Sequence, residues 1–359
     1  MVLVVAVAAS VAARPSGHPN LSPISADRLI ASSLRTLARD PAISGRLAVH
    51  LDLGLPAIPS GPPGAPRAVG AAGFLISLTG DHRLRVWSSA DGFRLADLLP
   101  SSERAIFISR SDAWAWAFDS FTAYHLGRFP GSARASAGRE AQPGLELLDP
   151  LALTRKALSA ITPSTRVSVA ETARVAGRDA YVLALEPRTS RTLVGRIEIA
   201  VDAERRIPLR VAVIPRGGNS AAVSVGFTSI SFSPIDPSIY RFTPPPGAKV
   251  RDLSGGFEGR HAGKGQGIRG SAREASPDAG RYIREPPMLF GHDWGTIVAI
   301  RTPSRATLRA SAGGFDPTEI LPISGPLLSI RLVDRGDHGW LVYGMVPQSA
   351  LVALARGLP

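Results

Sequence analysis

The chain contains no cysteine, and this absence excludes several kinds of structure and chemistry. A disulfide scaffold, a thiolate zinc site, an iron–sulfur cluster and a cysteine nucleophile all require that side chain. A lipid-modified N-terminal cysteine is excluded as well, so we do not expect a lipoprotein. At 359 residues the chain is long enough to bury an apolar core without disulfides.

Charge is scarce, at 19% of the residues, but it is strongly unbalanced, with a formal net charge of +12. Only three of the 41 basic residues are lysines, and the arginines are scattered along the chain. Nucleic-acid binding favours a concentrated basic face, so we expect no nucleic-acid partner. Loose contact with an anionic membrane surface suits a diffuse positive charge better.

Long apolar runs are also rare. Residues 2–13 form one of 12 residues, too short for a helix that crosses a bilayer of ~30 Å. Its length and its small residues near Ala13 are typical of a secretory signal. We therefore predict that residues 1–13 are a signal peptide or an anchor and that the protein is extracytoplasmic, secreted or in the cell envelope. A buried strand is the alternative.

The 36 glycines and 31 prolines favour strands and turns over a helical bundle. Period-two alternation in Ala113–Phe118 predicts a strand with its aromatic side chains on one face. A later series of hairpins, spaced by ~10–15 residues, predicts an antiparallel meander. The large side chains predicted to share strand faces are Trp114, Trp116 and Phe118, then Tyr181, Leu183 and Leu185, then Ile197 and Ile199, then Val223, Val225 and Phe227.

Helical patterns are found in two places. Residues 26–38 carry Leu29, Ile30, Leu34 and Leu37 at helical spacing. Residues 150–160 follow Asp149, a good N-cap residue.

Motifs for catalysis or for metal and cofactor binding are missing or out of context. A Gly-x-Gly-x-x-Gly match at residues 265–270 lies in a glycine-rich stretch with no strand before it and no apolar helix after it. Adjacent Asp–His pairs, such as Asp81 and His82, are best explained as turn polarity, because neighbours on a strand point to opposite faces. We therefore expect a protein that is not an enzyme, with no catalytic residues, no metal site and no cofactor.

The second strand series closes on Tyr240-Arg241-Phe242-Thr243-Pro244-Pro245-Pro246-Gly247. Together with residues 177–187 and 197–211, this close resembles the LolA-like superfamily of bacterial lipoprotein carriers, in its actinobacterial form. The resemblance covers about residues 25–250, and the tail from Gly291 also looks like the end of such proteins.

The resemblance implies an α+β, mainly β fold. A single strongly curved antiparallel sheet, an open half-barrel, would be covered on its concave side by helices. Lipid acyl chains would enter a cavity between sheet and helices. The strand residues named above would then line the cavity wall, and Leu29, Ile30, Leu34 and Leu37 would belong to a lid helix. Packing of a filled core is the alternative reading of the three aromatic residues.

Four segments follow from this reading. Residues 1–13 precede a half-barrel at 25–250, 251–284 form a flexible glycine-rich insertion, and 285–359 add strands and a helix that extend the sheet.

The expected function is non-enzymatic binding or transfer of a lipid or lipoprotein. One departure weakens strict lipoprotein carriage: Thr79-Gly80 stands where proteobacterial carriers have an Arg-Pro pair. The alternative is a regulatory half-barrel that binds an anti-sigma factor in envelope stress signalling.

Overall fold

The computed structural model describes residues 19–55, 80–99, 102–128, 149–253, 286–311 and 321–359. Several predictions lie outside these residues. They are the signal or anchor segment at 1–13, a strand expected at 74–78, and nearly all of the glycine-rich insertion at 251–284.

About half of the described residues form strands and few form helices, as expected for a mainly β protein. The larger sheet holds twelve strands, whose order across the sheet is β12-β6-β5-β4-β3-β2-β1-β11-β10-β9-β8-β7. Their bounds are β1 Ile43–Leu51, β2 Gly80–Ser89, β3 Gly92–Leu99, β4 Ser102–Ser109, β5 Asp112–Ala117, β6 Thr122–Arg128, β7 Thr165–Val175, β8 Arg178–Pro187, β9 Val194–Asp202, β10 Pro208–Pro215, β11 Val223–Ser231 and β12 Lys249–Asp252.

Two antiparallel meanders, β2–β6 and β7–β11, meet at β1, which pairs with β2 on one side and β11 on the other. Strand β12 returns to the far edge and pairs with β6 in parallel. The edge strands β12 and β7 do not pair with each other, so the sheet is open. An open, mainly β sheet is therefore confirmed.

The two predicted helices begin and end almost where the sequence indicates. Helix α1 spans Ala26–Leu37, and the Ser25 side chain accepts a hydrogen bond from the Arg28 amide. Helix α2 spans Pro150–Ser159, and the Asp149 carboxylate accepts one from the Leu151 amide at 2.9 Å. Both caps supply partners for amides that lack one inside the first turn.

The large sheet has two faces of different chemistry. On one, which we call the helix face, an aliphatic row crosses the sheet from strand to strand: Val169, Leu183, Ile199, Val211, Val225 and Val49. The other, which we call the aromatic face, carries a cross-strand row of rings and a guanidinium: Trp87, Arg94, Phe107, Trp114 and His125.

The arrangement of residues 286–359 differs from the expected one. We expected the C-terminal strands to extend the edge of the large sheet, but they form a second sheet with the order β13-β14-β17-β16-β15. Its elements are β13 Met288–Phe290, β14 Ile297–Pro303, α3 Arg305–Ser311, β15 Ile323–Ser324, β16 Ser329–Asp334, β17 His338–Gly344 and α4 Gln348–Ala355. The strands themselves were foreseeable, but their alternation does not reveal which strand pairs with which.

The second sheet has its own apolar core, built from β14, β17 and α4 around Trp340, Val342 and Leu351. It also contacts the large sheet. The Met345 carbonyl accepts hydrogen bonds from the Leu193 amide and the Thr192 hydroxyl, each at 2.8 Å. The Trp294 indole donates to the Thr165 hydroxyl at 2.9 Å. The small sheet is thus a separate core attached to the ends of β7–β9.

Within the part of the chain that the structure describes, no helix has the length and apolar character needed to cross a membrane.

Candidate functional site

Helices α1 and α2 lie over the β8–β10 part of the helix face. Leu29 of α1 and Leu158 of α2 are buried there against Leu183, Ile199 and Val211. Each helix turns a stripe of side chains inward, because residues three and four apart share a face. The buried stripes are Leu29, Ser33 and Leu37 on α1, and Leu151, Thr154 and Leu158 on α2.

The structure brings most of the predicted wall residues to this face. Tyr181, Leu183, Leu185 and Ile199 are buried under the helices, with Ile197 half-buried beside them. Val223, Val225 and Phe227 are buried further along the same face, in the core that β1–β4 share. In this structure the space above these side chains is occupied by protein side chains.

The predicted lid residues divide between two sides of α1. Leu29 and Leu37 are buried, and Ile30 packs partly against the same cluster. Leu34 is 36% exposed and faces away from the sheet. Ser33, which the sequence prediction did not name, holds the inward position between Leu29 and Leu37.

The inward stripe of each helix contains a hydroxyl that finds no hydrogen-bond partner among the described residues. The Ser33 side chain on α1 and the Thr154 side chain on α2 are both in this state. They are 1% and 0% exposed. A buried hydroxyl without a partner costs about 1–3 kcal/mol. The closed packing of helices on sheet is therefore imperfect at its centre.

The polar contacts that join α1 to its neighbours lie near its two ends. The Tyr181 hydroxyl donates to the Ser22 carbonyl at 2.7 Å, just before α1. At the other end of α1, the Thr36 hydroxyl reaches the Arg205 carbonyl at 3.4 Å. The Arg155 guanidinium of α2 reaches the Leu37 carbonyl at 3.4 Å and the Asp40 carboxylate at 3.7 Å. Distances beyond 3.2 Å indicate weak bonds.

The predicted aromatic wall residues lie elsewhere. Trp114 and Trp116 are on the aromatic face, because Ala113 and Ala115 occupy the alternate positions that point to the core under the helices. Phe118 follows the end of β5 and is 48% exposed. Alternation groups side chains on one face, but it does not tell which face the helices cover.

The proline-rich segment 240–247, which follows β11, covers the aromatic face. Phe242 stacks on Phe107 with ring centroids 4.8 Å apart and lies within 6 Å of the rings of Trp114 and Trp116. Tyr240 is buried against Gly92, where a Cβ atom would overlap the tyrosine ring. The segment that carries the sequence resemblance is therefore a cover for this face.

A depression of about 560 Å³ lies beside the turns of β7–β8 and β9–β10, and it is polar. Its lining residues are Leu21, Arg174, Gly177, Arg178, Asp179, Asp202, Ala203 and Glu204. A smaller one of about 190 Å³ lies on the second sheet and contains Arg305, Arg331 and Asp334. None of the predicted wall residues lines either depression.

Asp202 is the buried centre of the first depression. Its carboxylate accepts hydrogen bonds from the Arg178 guanidinium and from the amides of Glu204 and Arg205. Burial alone would raise the pKa of Asp202, but these hydrogen bonds outweigh burial and hold the pKa below its usual value. In return, the bond to Asp202 raises the pKa of Arg178. This pair fastens the β9–β10 turn to β8.

Each histidine among the described residues lies near a carboxylate, and His125 lies between two, 2.6 Å from Asp112 and 3.4 Å from Asp252. His50 lies 2.9 Å from Asp81, whereas His82 turns to the opposite face and lies 3.4 Å from Asp97. His338 pairs with the adjacent Asp337 at 2.6 Å. Among the described residues no group of three metal-binding side chains is present.

Comparison with known proteins gives similarity at the level of structure alone. No protein-family model matches the chain, and no curated protein sequence matches it. A crystal structure of MucB in complex with MucA(peri) aligns with 92% of this chain and 97% of its own, at 13% identity and a TM-score of 0.45.

Two further solved structures align over a smaller part of this chain. A LolA superfamily protein from Nitrosomonas europaea covers 61% of this chain and 99% of its own, at 10% identity and a TM-score of 0.24. A putative outer membrane lipoprotein-sorting protein domain from Vibrio parahaemolyticus covers 60% and 97%, at 12% identity and a TM-score of 0.25. These three alignments have identities of 10–13% and TM-scores below 0.5, and they carry no statement about the function of this chain.

Proposed function

We propose that this protein binds the acyl chains of a lipid or lipoprotein outside the cytoplasm, in a space that opens when α1 and α2 lift from the helix face. The observation that carries the proposal is the pair of buried hydroxyls, Ser33 and Thr154, at the centre of otherwise aliphatic stripes. No enzymatic step is part of this function.

The energetics of opening favour an apolar ligand. Lifting the helices exposes aliphatic side chains such as Leu183, Ile199 and Val211, which are buried in the closed state. An acyl chain that takes the place of the helix side chains contributes about 0.8 kcal/mol for each methylene removed from water. A chain of ordinary length can therefore offset the lost packing.

The two hydroxyls add a polar preference to the apolar space. A hydroxyl donor in a dry site is stabilised by any acceptor that reaches it. Ester and amide carbonyls, which join acyl chains to lipids and to lipoproteins, are such acceptors. An acylated ligand would thus satisfy groups that the closed structure leaves without partners.

A direct test extracts the purified protein with organic solvent and identifies co-purifying lipid by mass spectrometry. Titration with a fluorescent fatty acid then measures affinity for the protein and for S33L/T154L, which fills both positions. We expect the double variant to bind at least tenfold more weakly. The control L289A, at an exposed position on the second sheet, should bind normally. A lipid-free protein that also fails to bind the probe would overturn the proposal.

A second candidate function is regulation, in which the chain binds an extracytoplasmic segment of an anti-sigma factor. The separate core of residues 288–358 favours it, because half-barrels that regulate envelope stress signalling carry a second, smaller domain. A pull-down from detergent-solubilised membranes should then recover a single-span anti-sigma protein. Recovery of lipid without any such protein would favour the carrier function.

A further inference from the structure

The turn between β5 and β6 exposes an apolar group that the helix-face site does not use. Phe118 is 48% exposed and Phe121 38% exposed, and both lie in this turn. Val250 of β12, 55% exposed, lies beside them, since the neighbouring Lys249 amide donates to the Phe121 carbonyl at 2.9 Å. We call Phe118, Phe121 and Val250 the apolar tip.

Backbone hydrogen bonds and a ring contact hold the turn of the tip, although its side chains face solvent. The Phe121 amide donates to the Phe118 carbonyl, and the Phe118 amide donates to the Glu103 carbonyl, both at 3.0 Å. The Phe121 ring meets the edge of Trp116 at 5.4 Å between centroids. Phe121 has a φ of 47°, in the left-handed region that bulky residues rarely adopt. An aromatic ring is thus kept exposed at a position where glycine or asparagine would be less strained.

Cations lie next to the tip along the chain. Lys249 and Arg251 precede and follow Val250 in β12, and both are exposed; their side chains alternate with that of Val250 across this edge strand. Two carboxylates lie nearby: Asp119 is 2.9 Å from the Arg104 guanidinium, and Asp252 is 3.4 Å from His125. This edge of the sheet therefore exposes aromatic rings together with cations.

We propose that the apolar tip and its flanking cations dock this protein on the surface of an anionic lipid bilayer. Phenylalanine and aliphatic side chains beside cations insert at the boundary between headgroups and acyl chains. Each lysine or arginine near an anionic surface adds about 1 kcal/mol, a factor of about five in binding. The inference goes beyond the proposed function, because docking requires neither a bound acyl chain nor movement of α1 and α2.

The test is co-sedimentation of the full-length protein with vesicles of phosphatidylcholine, with and without phosphatidylglycerol. We expect binding to the anionic vesicles, weakened as salt rises. The charge variant K249E/R251E should bind at least about 25-fold more weakly, the product of two such factors. The ring variant F118S/F121N should lose about tenfold.

Matched controls separate a site from a general effect. L289A and R191E remove an exposed leucine and an exposed arginine elsewhere, and both should bind as the unaltered protein does. Equal binding to neutral and anionic vesicles would overturn the proposal, as would normal binding by the charge variant. If the ring variant fails to fold, the charge variant and the salt titration decide the question.

Two more measurements separate membrane docking from self-association and from acyl-chain binding. Sedimentation velocity without vesicles asks whether a second copy of the chain covers the tip, and a dimer that the ring variant dissolves would overturn the proposal. Fatty-acid binding by the charge variant, without vesicles, should be unchanged. Failure of vesicle docking therefore leaves the helix-face site intact, and failure of fatty-acid binding leaves the docking result intact.

Discussion

The two sheets of this protein are covered by helices in different ways. On the small sheet, α4 is fastened by polar bonds in its first turn. The Gln348 side chain donates to the carbonyls of Ile323 and Ile330, at 2.6 and 3.1 Å, and accepts from Arg331 at 3.4 Å. The end of α4 and the residues after it are fastened as well, because Arg335 donates to the carbonyls of Ala355 and Leu358 at 2.6 and 2.9 Å.

On the large sheet, α1 and α2 also have polar bonds, but the centres of their inward stripes do not. Their inward stripes are apolar at the ends and carry Ser33 and Thr154, hydroxyls without partners among the described residues, between them. Both covers bury leucines fully or nearly so, so apolar packing does not distinguish them. The difference lies in the buried polar groups. Where each has a partner, as at α4, they specify one closed arrangement; where some have none, as at α1 and α2, opening costs less.

The largest expected difference comes from replacing a buried leucine of each covering helix by alanine. L351A in α4 should cost about 2–5 kcal/mol, whereas L29A in α1 should lie near the lower end of that range, because a loosely held helix can settle into the space. Hydrogen exchange resolved by segment, measured on each variant, reports the protection of α1 and of α4 together. A larger loss of protection for L29A than for L351A would contradict the comparison.

The next prediction concerns the fastening of α4. Q348A leaves the Ile323 and Ile330 carbonyls without their side-chain donor, so the small sheet should lose about 1–3 kcal/mol of stability. The matched control S349A changes an exposed neighbour in the same turn and should stay within about 0.5 kcal/mol. Equal effects of the two variants in urea unfolding would remove the argument for a fastened cover.

A third prediction uses acid to loosen the large-sheet cover selectively. The pKa of Asp202 is lowered in the folded protein, so its contribution to stability is complete above its usual pKa and is lost as pH falls through the lower folded value. The β9–β10 turn that Asp202 holds also touches α1 through Arg205. Below about pH 4, protection of α1 should therefore fall before that of α4. In D202N this pH dependence should disappear.

The smallest expected effect has the opposite sign. S33A and T154V remove hydroxyls that have no partner among the described residues, so each should leave stability unchanged or raise it by up to about 1 kcal/mol. S32A is the control, because the Ser32 hydroxyl donates to the Leu29 carbonyl at 2.9 Å. Thermal unfolding measures the change in stability of all three variants. Clear destabilisation by S33A and T154V would mean that the hydroxyls do have partners.

The sequence predicts the helices and the second meander well, for a local reason. Ser25 and Asp149 are N-caps, and the spacing of Leu29 and Leu37 marks one side of a helix without any knowledge of its partner. The unpartnered hydroxyls could also have been found, since Ser33 lies midway between those leucines. Whether the Ser33 hydroxyl has a hydrogen-bond partner depends on how α1 packs on the sheet, which only the structure reveals.

Strands β3 and β6 were not predicted, although Phe93 and Leu95 alternate in β3 and β3 pairs with the strands next to it in the chain. The other errors come from interactions distant in sequence. Trp114 and Trp116 were grouped correctly with each other but assigned with the wall residues, because the cover of their face, Phe242, lies more than a hundred residues away. The second sheet was missed for the same reason.

The central position of β1 governs the order in which this molecule can fold. Its partner β11 joins it only through contacts such as Val49 with Val225, which are far apart in the chain. The hairpins of β7–β11 need only short loops, so they can form early, whereas the pairing of β1 with β11 must wait for a large closure of the chain. During synthesis from the N-terminus, β1 emerges before its β11 partner, and one edge of β1 stays unpaired until β11 arrives.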